Sequence, residues 1–225
     1  MKLTNLFNLS ISNKMVSAPI NMIYAPIGGF GNHIRWLLLL DKNYKLELDG
    51  QILVSVEDKV KFITTTVYSN NRTYNNWLDY EFTWRRKLNL VLKFTHDMTD
   101  FFDDLMSIAV TVDPNLALRC YEKFNPGLNG ISKEGFLKQI RKQNLMCEFA
   151  TKALNTVICI DSTKLFQPTL DKEIYNRAIE FLNLESNFDA ASNIHQVWYM
   201  LHIKAENQWL ANQNNLFQPV QSINI

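Results

Sequence analysis

The sequence predicts an α/β fold with a mainly parallel sheet flanked by helices, and three observations carry that prediction. Four apolar stretches of strand length, INMIYAPI (20–27), LNLVLKFTH (88–96), SIAVTVD (107–113) and TVICID (156–161), lie well apart, with helix-patterned segments between them. That alternation supplies the crossovers a parallel sheet needs. The second and third stretches are apolar almost without a break, as strands covered on both faces must be. Neither an internal repeat nor a linker composition divides the 225 residues. One domain, 1–225, is therefore expected, with 1–19 as an N-terminal extension and 212–225 as a loosely ordered tail.

In chain order, the first strand runs into Gly28, Gly29 and Gly31, three of only seven glycines, and then into a helix over 32–41. QILVSV (51–56) reads either as a short strand or as the lead into a helix over about 57–69, where Val60, Ile63 and Val67 share a face. A helix near 76–88 aligns Trp77, Tyr80, Trp84 and Leu88, and its terminal Arg85, Arg86 and Lys87 complement the helix dipole. After SIAVTVD, Pro114 suits a first helical position, and Asp113 or Asn115 supplies a capping oxygen. NPGLNG (125–130) is the clearest turn, and SKEGFLKQIRKQNLMCEFATKAL is one long amphipathic helix. Helix 170–183 aligns Ile174, Ala178, Phe181 and Leu182. A last helix over about 187–211 carries Ala190, Ile194, Val197, Leu201 and Trp209.

Composition excludes several classes of function. With 23 basic and 22 acidic residues the net charge is +1, so global electrostatics point to neither nucleic acid nor an anionic membrane, and an anion site must be local. Cys120, Cys147 and Cys159 are too few and too scattered for a disulfide framework or a zinc cluster, and read as buried hydrophobes in a reducing compartment. No histidine pair shows metal-ligand spacing, so no metal is expected; His195 and His202 share a helix face and read as packing near Trp198. Asn5, Asn8, Asn13 and Lys14 interrupt any signal-peptide core, and no apolar run approaches the roughly 20 residues a membrane span needs. The expectation is a cytoplasmic protein with no membrane partner.

The glycine turn carries the chemistry. Glycines let backbone approach a ligand and adopt positive φ, while the following helix N-terminus presents free N–H groups and partial positive charge to an anion. Asn32, His33 and Arg35 add side-chain donors just past the turn. No Gly-Lys-Ser/Thr follows, and Ile34 breaks a G-x-G-x-x-G pattern, so neither a standard ATPase loop nor a standard dinucleotide fingerprint is present. In parallel α/β sheets ligands bind beyond the carboxyl ends of the strands. There the sequence offers Gly28 to Arg35, Thr95 with His96, and Asp113.

Read together, these segments resemble the sulfotransferase family. Pro26, the glycine turn and a Leu-rich helix ending in Asp41 are similar to its donor-phosphate loop, and KFTHD (93–97) to its Lys-Thr-His segment. VTVDPNLALRCYEKF (110–124) is similar to the strand and helix that grip the donor's 3′-phosphate, and ICIDSTKLFQPTLDKEIYNRAIEFLNL (158–184) to a later strand–helix unit. The resemblance spans most of 20–200 in the family's chain order. It implies a P-loop-like three-layer sandwich and 3′-phosphoadenosine 5′-phosphosulfate as donor. Gly28, Gly29, Gly31, Asn32 and His33 would hold the donor's phosphates, with Arg119 and Cys120 at the 3′-phosphate. His96 would act as the base on a hydroxyl acceptor, small or carbohydrate, and Arg35 or Arg119 would balance charge on the transferred group.

Two alternatives remain open. GGFGN (28–32) also resembles the Gly-Gly-x-Gly-Asn-Gln turn of GDP-fucose fucosyltransferases, with His33 at the Gln position. A catalytically inactive binding module is the third reading. Ile27 stands where the sulfotransferase loop has a cation, Val112 where its 3′-phosphate motif has Arg, and no Arg-Lys-Gly-x-x-Gly segment follows. Tyr68, Tyr74, Trp77, Tyr80 and Trp84 read either as an acceptor lid or as core. Neither acceptor identity nor oligomeric state is legible.

Overall fold

A computed structural model describes residues 21–26, 28–42, 44, 46–48, 51–68, 92–95, 106–124 and 130–216. Strand β1 (Asn21–Tyr24) leads through the glycine turn into α1 (Gly31–Leu38). A hairpin of β2 (Leu46–Leu48) and β3 (Gln51–Leu53) follows, then α2 (Val56–Phe62), which widens into a π-turn over Ile63–Val67. After β4 (Leu92–Thr95) and β5 (Ser107–Thr111) come α3 (Pro114–Phe124) and α4 (Lys133–Ala153). Then follow β6 (Val157–Asp161), a 3-10 turn (Ser162–Leu165), α5 (Lys172–Phe181) and α6 (Phe188–Leu216).

Helix starts follow local chemistry. Ser55 Oγ accepts from Asp58 N, Ser132 Oγ from Gly135 N, and Asp171 Oδ1 from both Glu173 N and Ile174 N, each satisfying orphan first-turn amides. Asp113, rather than Asn115, caps α3: its Oδ1 accepts from Leu116 N at 2.8 Å, ahead of Pro114.

The four predicted strands form one fully parallel sheet in the order β4-β1-β5-β6. The antiparallel β2–β3 pair is separate from it. Side-chain alternation divides the sheet into two covered faces. Ile23, Ile108, Val110 and Ile160 join α1, α5 and α6 in the main core, while Tyr24, Ala109 and Val157 pack on Cys147 and Ala150 of α4. From β1 the chain steps one way to β4, and from β5 the other way to β6. Helices α1 and α4 lie on opposite faces of the sheet, each against its own set of strand side chains. The point of divergence falls between the carboxyl ends of β1 and β5, the usual ligand crevice of such sheets.

The structure departs from these expectations in several places; the helix expected over 32–41, for one, ends at Leu38. The first strand ends at Tyr24, because Ala25 and Pro26 already belong to the turn. The expected helix 57–69 begins at Val56 and becomes a π-turn from Ile63. Leu46–Leu48 was not anticipated as a strand, although Asp49-Gly50 between alternating apolar residues is a hairpin signal. The last helix continues to Leu216, beyond its expected end near 211. Its fully buried stripe is Ala191, Ile194, His195, Trp198, His202 and Ala205, which keeps the expected Ile194 and leaves the expected Ala190, Val197 and Leu201 half-buried at its edge, because two histidines and a tryptophan face inward. The expected helix at 76–88 lies outside the described residues, as do Ile27, Tyr74, His96, residues 125–129 of the expected turn and the segments 1–19 and 217–225.

Candidate functional site

The turn after β1 is tight and closely packed. Gly29 N donates to Pro26 O at 2.9 Å, and Gly28 takes φ +78°, a left-handed conformation that favours glycine. A Cβ on Gly28 would stand 2.8 Å from the carbonyl oxygen of Ala117 in α3, and one on Gly29 would stand 2.9 Å from the Pro26 ring. Both glycines are thus required by packing within the fold. Phe30 caps α1 in a left-handed conformation of its own, φ +58°, with its ring stacked 5.6 Å from Phe166 and edge-on to Trp198 at 5.1 Å. That aromatic anchorage offsets a backbone cost of about 1–2 kcal/mol. Asn32, in the first turn of α1, has its Oδ1 enclosed with no hydrogen-bond partner.

Across the crevice the ends of β5 and β6 are tied together. Asp113 N donates to Thr163 Oγ1 at 2.7 Å, Ser162 Oγ to Thr111 O at 2.9 Å, and Thr163 N to Asp161 Oδ1 at 3.0 Å. Because Gly28 lies on Ala117, the glycine turn and the start of α3 are in direct contact.

The other sequence-predicted residues divide between crevice and core. Arg119, two positions past Ala117, keeps its side chain 48 % exposed, lies 3.5 Å from Glu206 and spreads over Phe166 at 5.6 Å. Lys123, one turn further on α3, is buried, ion-paired to the same Glu206 at 3.0 Å and over the same ring at 5.8 Å. Cys120 is buried, and burial pushes its thiol up to about 11 despite Lys123 and Arg119 nearby. Arg35 is 7 % exposed on the second turn of α1, its guanidinium 5.4 Å from the Trp36 ring. His33 points into the core instead of toward the turn.

His33 belongs to a cluster that the sequence reading did not assemble. Its ring stacks on Trp198 at 4.0 Å and 6°, its Nε2 meets His195 Nδ1 at 3.0 Å, and its Nδ1 meets the Tyr68 hydroxyl at 3.3 Å. His195 Nε2 reaches Gln167 O at 2.8 Å. His202, edge-on to Phe30 and Phe166, lies 4.6 Å from Trp198. The expected packing of His195 and His202 near Trp198 is therefore present. Burial lowers all three histidines: His33 well below its usual range, with His195 and His202 adding to the effect; His195 less; and His202 to about 3, with Lys123 contributing. Tyr68, one of the possible lid aromatics, is core. The seven-residue spacing of the α6 histidines around Trp198 was a visible signal; their pairing with His33, 162 positions from His195, was not.

Among the described residues no group of three or more His, Cys, Asp or Glu side chains is placed to hold a metal, and no helix is long and apolar enough to cross a membrane. An open cleft of about 690 Å³ between α5 and the start of α6, lined by Lys172, Glu180, Asn187 and Asp189 among others, includes no residue of the glycine turn. Comparison with protein-family models, curated proteins and solved structures finds no match.

Proposed function

We propose that the protein is a sulfotransferase-like enzyme that moves a sulfonate from 3′-phosphoadenosine 5′-phosphosulfate to a hydroxyl acceptor. The observation that carries the reading is position: Gly28–Asn32 joins a central parallel strand to a helix N-terminus at the divergence point of the sheet, the place where such folds take phosphates. Asn32, in the same first turn, carries a side-chain amide whose Nδ2 can donate to a phosphate oxygen. In this reading the first-turn amides of α1 hold the donor's 5′-phosphates. Arg119, half exposed beside the crevice, meets a second anionic group. His96, carried over from the resemblance, takes the acceptor's proton.

A catalytically inactive binding or structural module is the second reading, and one observation favours it: Gly28 and Gly29 are already required by Ala117 and Pro26, without a ligand. Thermal unfolding with 3′-phosphoadenosine 5′-phosphate, GDP and ATP separates the readings. A ligand at a hundred times its dissociation constant stabilises by about 2.7 kcal/mol, roughly 5–10 °C for a chain of this size. A shift with the phosphoadenosine ligand alone is expected, and Asn32→Asp should weaken it at least tenfold by setting a carboxylate against the phosphate. A shift with GDP alone moves the assignment to a nucleotide-sugar transferase. Absence of any shift at millimolar nucleotide refutes both enzyme readings. His96→Ala should abolish transfer and leave nucleotide binding intact.

A further inference from the structure

The histidine–tryptophan cluster joins α1, directly after the glycine turn, to the Tyr68 end of the π-turn and to the middle of α6. Its hydrogen bonds admit one consistent direction. Gln167 O can only accept, so His195 Nε2 carries the hydrogen and Nδ1 is bare. His33 Nε2 then donates to that Nδ1, and His33 Nδ1 accepts from the Tyr68 hydroxyl. A first added proton is accommodated, because the Tyr68 hydroxyl can turn to accept from His33 Nδ1, but protonating both rings sets two N–H groups face to face across 3.0 Å. His33 also stacks flat on Trp198, so it cannot turn toward solvent without breaking that contact.

The charges brought by the surrounding elements do not favour an imidazolium. Lys123 on α3 acts against a charge on His202, the π-turn offers only the Tyr68 hydroxyl and the segment after β6 offers Phe166; the Gln167 carbonyl alone favours a charged His195, and burial outweighs it. On α6 the carboxylate of Glu206, one turn past His202, is engaged by Lys123 and Arg119. Among the described residues no carboxylate bonds to His33 or His195.

We propose that this cluster is an acid-operated latch: with neutral rings it docks α6 and the Phe166–Gln167 segment on α1, and with protonated rings it releases α6 while the parallel sheet stays formed. The sign follows from burial. The docked rings titrate below the ordinary histidine value of about 6.5 and the released rings near it, so docking is complete above that pH and is lost as pH falls below it. Phe30 rests on Trp198 and His202, so release also frees the cap of α1 and loosens the glycine turn. The proposal is independent of what the turn binds.

Hydrogen exchange on the full chain between pH 7.5 and pH 5, corrected for intrinsic rates, tests it. Amides of 188–211 and 31–38 should lose protection at least tenfold below pH 6 while those of 107–111 and 157–161 keep theirs, with uptake of two or more protons. His33→Gln and His195→Gln, each keeping a donor at the Nε2 position, should each remove about one proton and move release to lower pH. If neither variant folds, the ring nitrogen resonances of the wild-type histidines decide: protonation coincident with loss of protection supports the latch. Rings that stay neutral through the transition, simultaneous loss of protection across the sheet, or unchanged protection down to pH 5 would overturn it.

Discussion

Replacing Gly28 with alanine separates the two reasons for a glycine at that position. Alanine at φ +78° costs about 1–2 kcal/mol for the left-handed conformation alone. The added methyl would also sit 2.8 Å from the Ala117 carbonyl oxygen and 3.1 Å from its Cα. Both are backbone atoms in the first turns of α3, and moving them means shifting a helix held by Asp113 and Thr163; overpacking of this kind costs about 1–3 kcal/mol more. Gly130 is the control, because it has φ +83° and nothing within 4 Å of its Cβ position. Gly130→Ala should therefore lose only the conformational part, and Gly28→Ala about 2–5 kcal/mol in all. Urea unfolding at pH 7.5 reads both, with the denaturant slope unchanged. Ala117→Gly should rescue little, since it removes the Cβ at 3.2 Å but leaves the oxygen. Equal losses at positions 28 and 130, or full rescue by Ala117→Gly, would refute the packing argument and return Gly28 to a purely conformational or ligand-facing role.

Three further outcomes follow from buried polar groups. Lys59 is fully buried on α2, donates to Asp41 O just past α1, and burial, against the pull of Asp41, lowers it to about 8. Its folded value lies below its unfolded one, so stability should rise between pH 8 and about 10.5; Lys59→Met should flatten that rise in paired urea titrations, and parallel curves would contradict it. The Asp41 carboxylate accepts from Glu185 N, tying α1 to the α5–α6 connection, so Asp41→Ala should cost about 1.5–3 kcal/mol by urea unfolding. Burial pushes the Cys120 and Cys147 thiols up to about 11 and about 12, so neither should react with a disulfide reagent at pH 8 in the native state, while all three cysteines should react in urea; rapid native labelling of Cys147 would contradict its burial.

Much of the architecture was legible because its determinants are local. The four apolar strands, Pro114 behind its Asp113 cap and the Ser132-capped helix all depend on residues within a few positions of one another. The site was less legible. His33 looked like a donor at the turn because sequence shows only that it follows the glycines; α1 rotates it onto Trp198. Arg35 is carried into the interior by the same helix. Lys59 fell on an otherwise apolar face and gave no sign that its ammonium would bond the backbone just past another helix.

By itself the sequence determined the α/β alternation, the helix starts and the site of the glycine turn, since strand apolarity, capping oxygens and glycine conformations act over one or two turns of chain. Only the tertiary structure decided why two of those glycines are needed and what the histidines do. Gly28 answers to Ala117, and His33 to Tyr68, His195 and Trp198, partners 35 to 165 positions away. No local pattern encodes those meetings, because they exist only once the parallel sheet has brought α1, α3 and α6 together at its carboxyl edge.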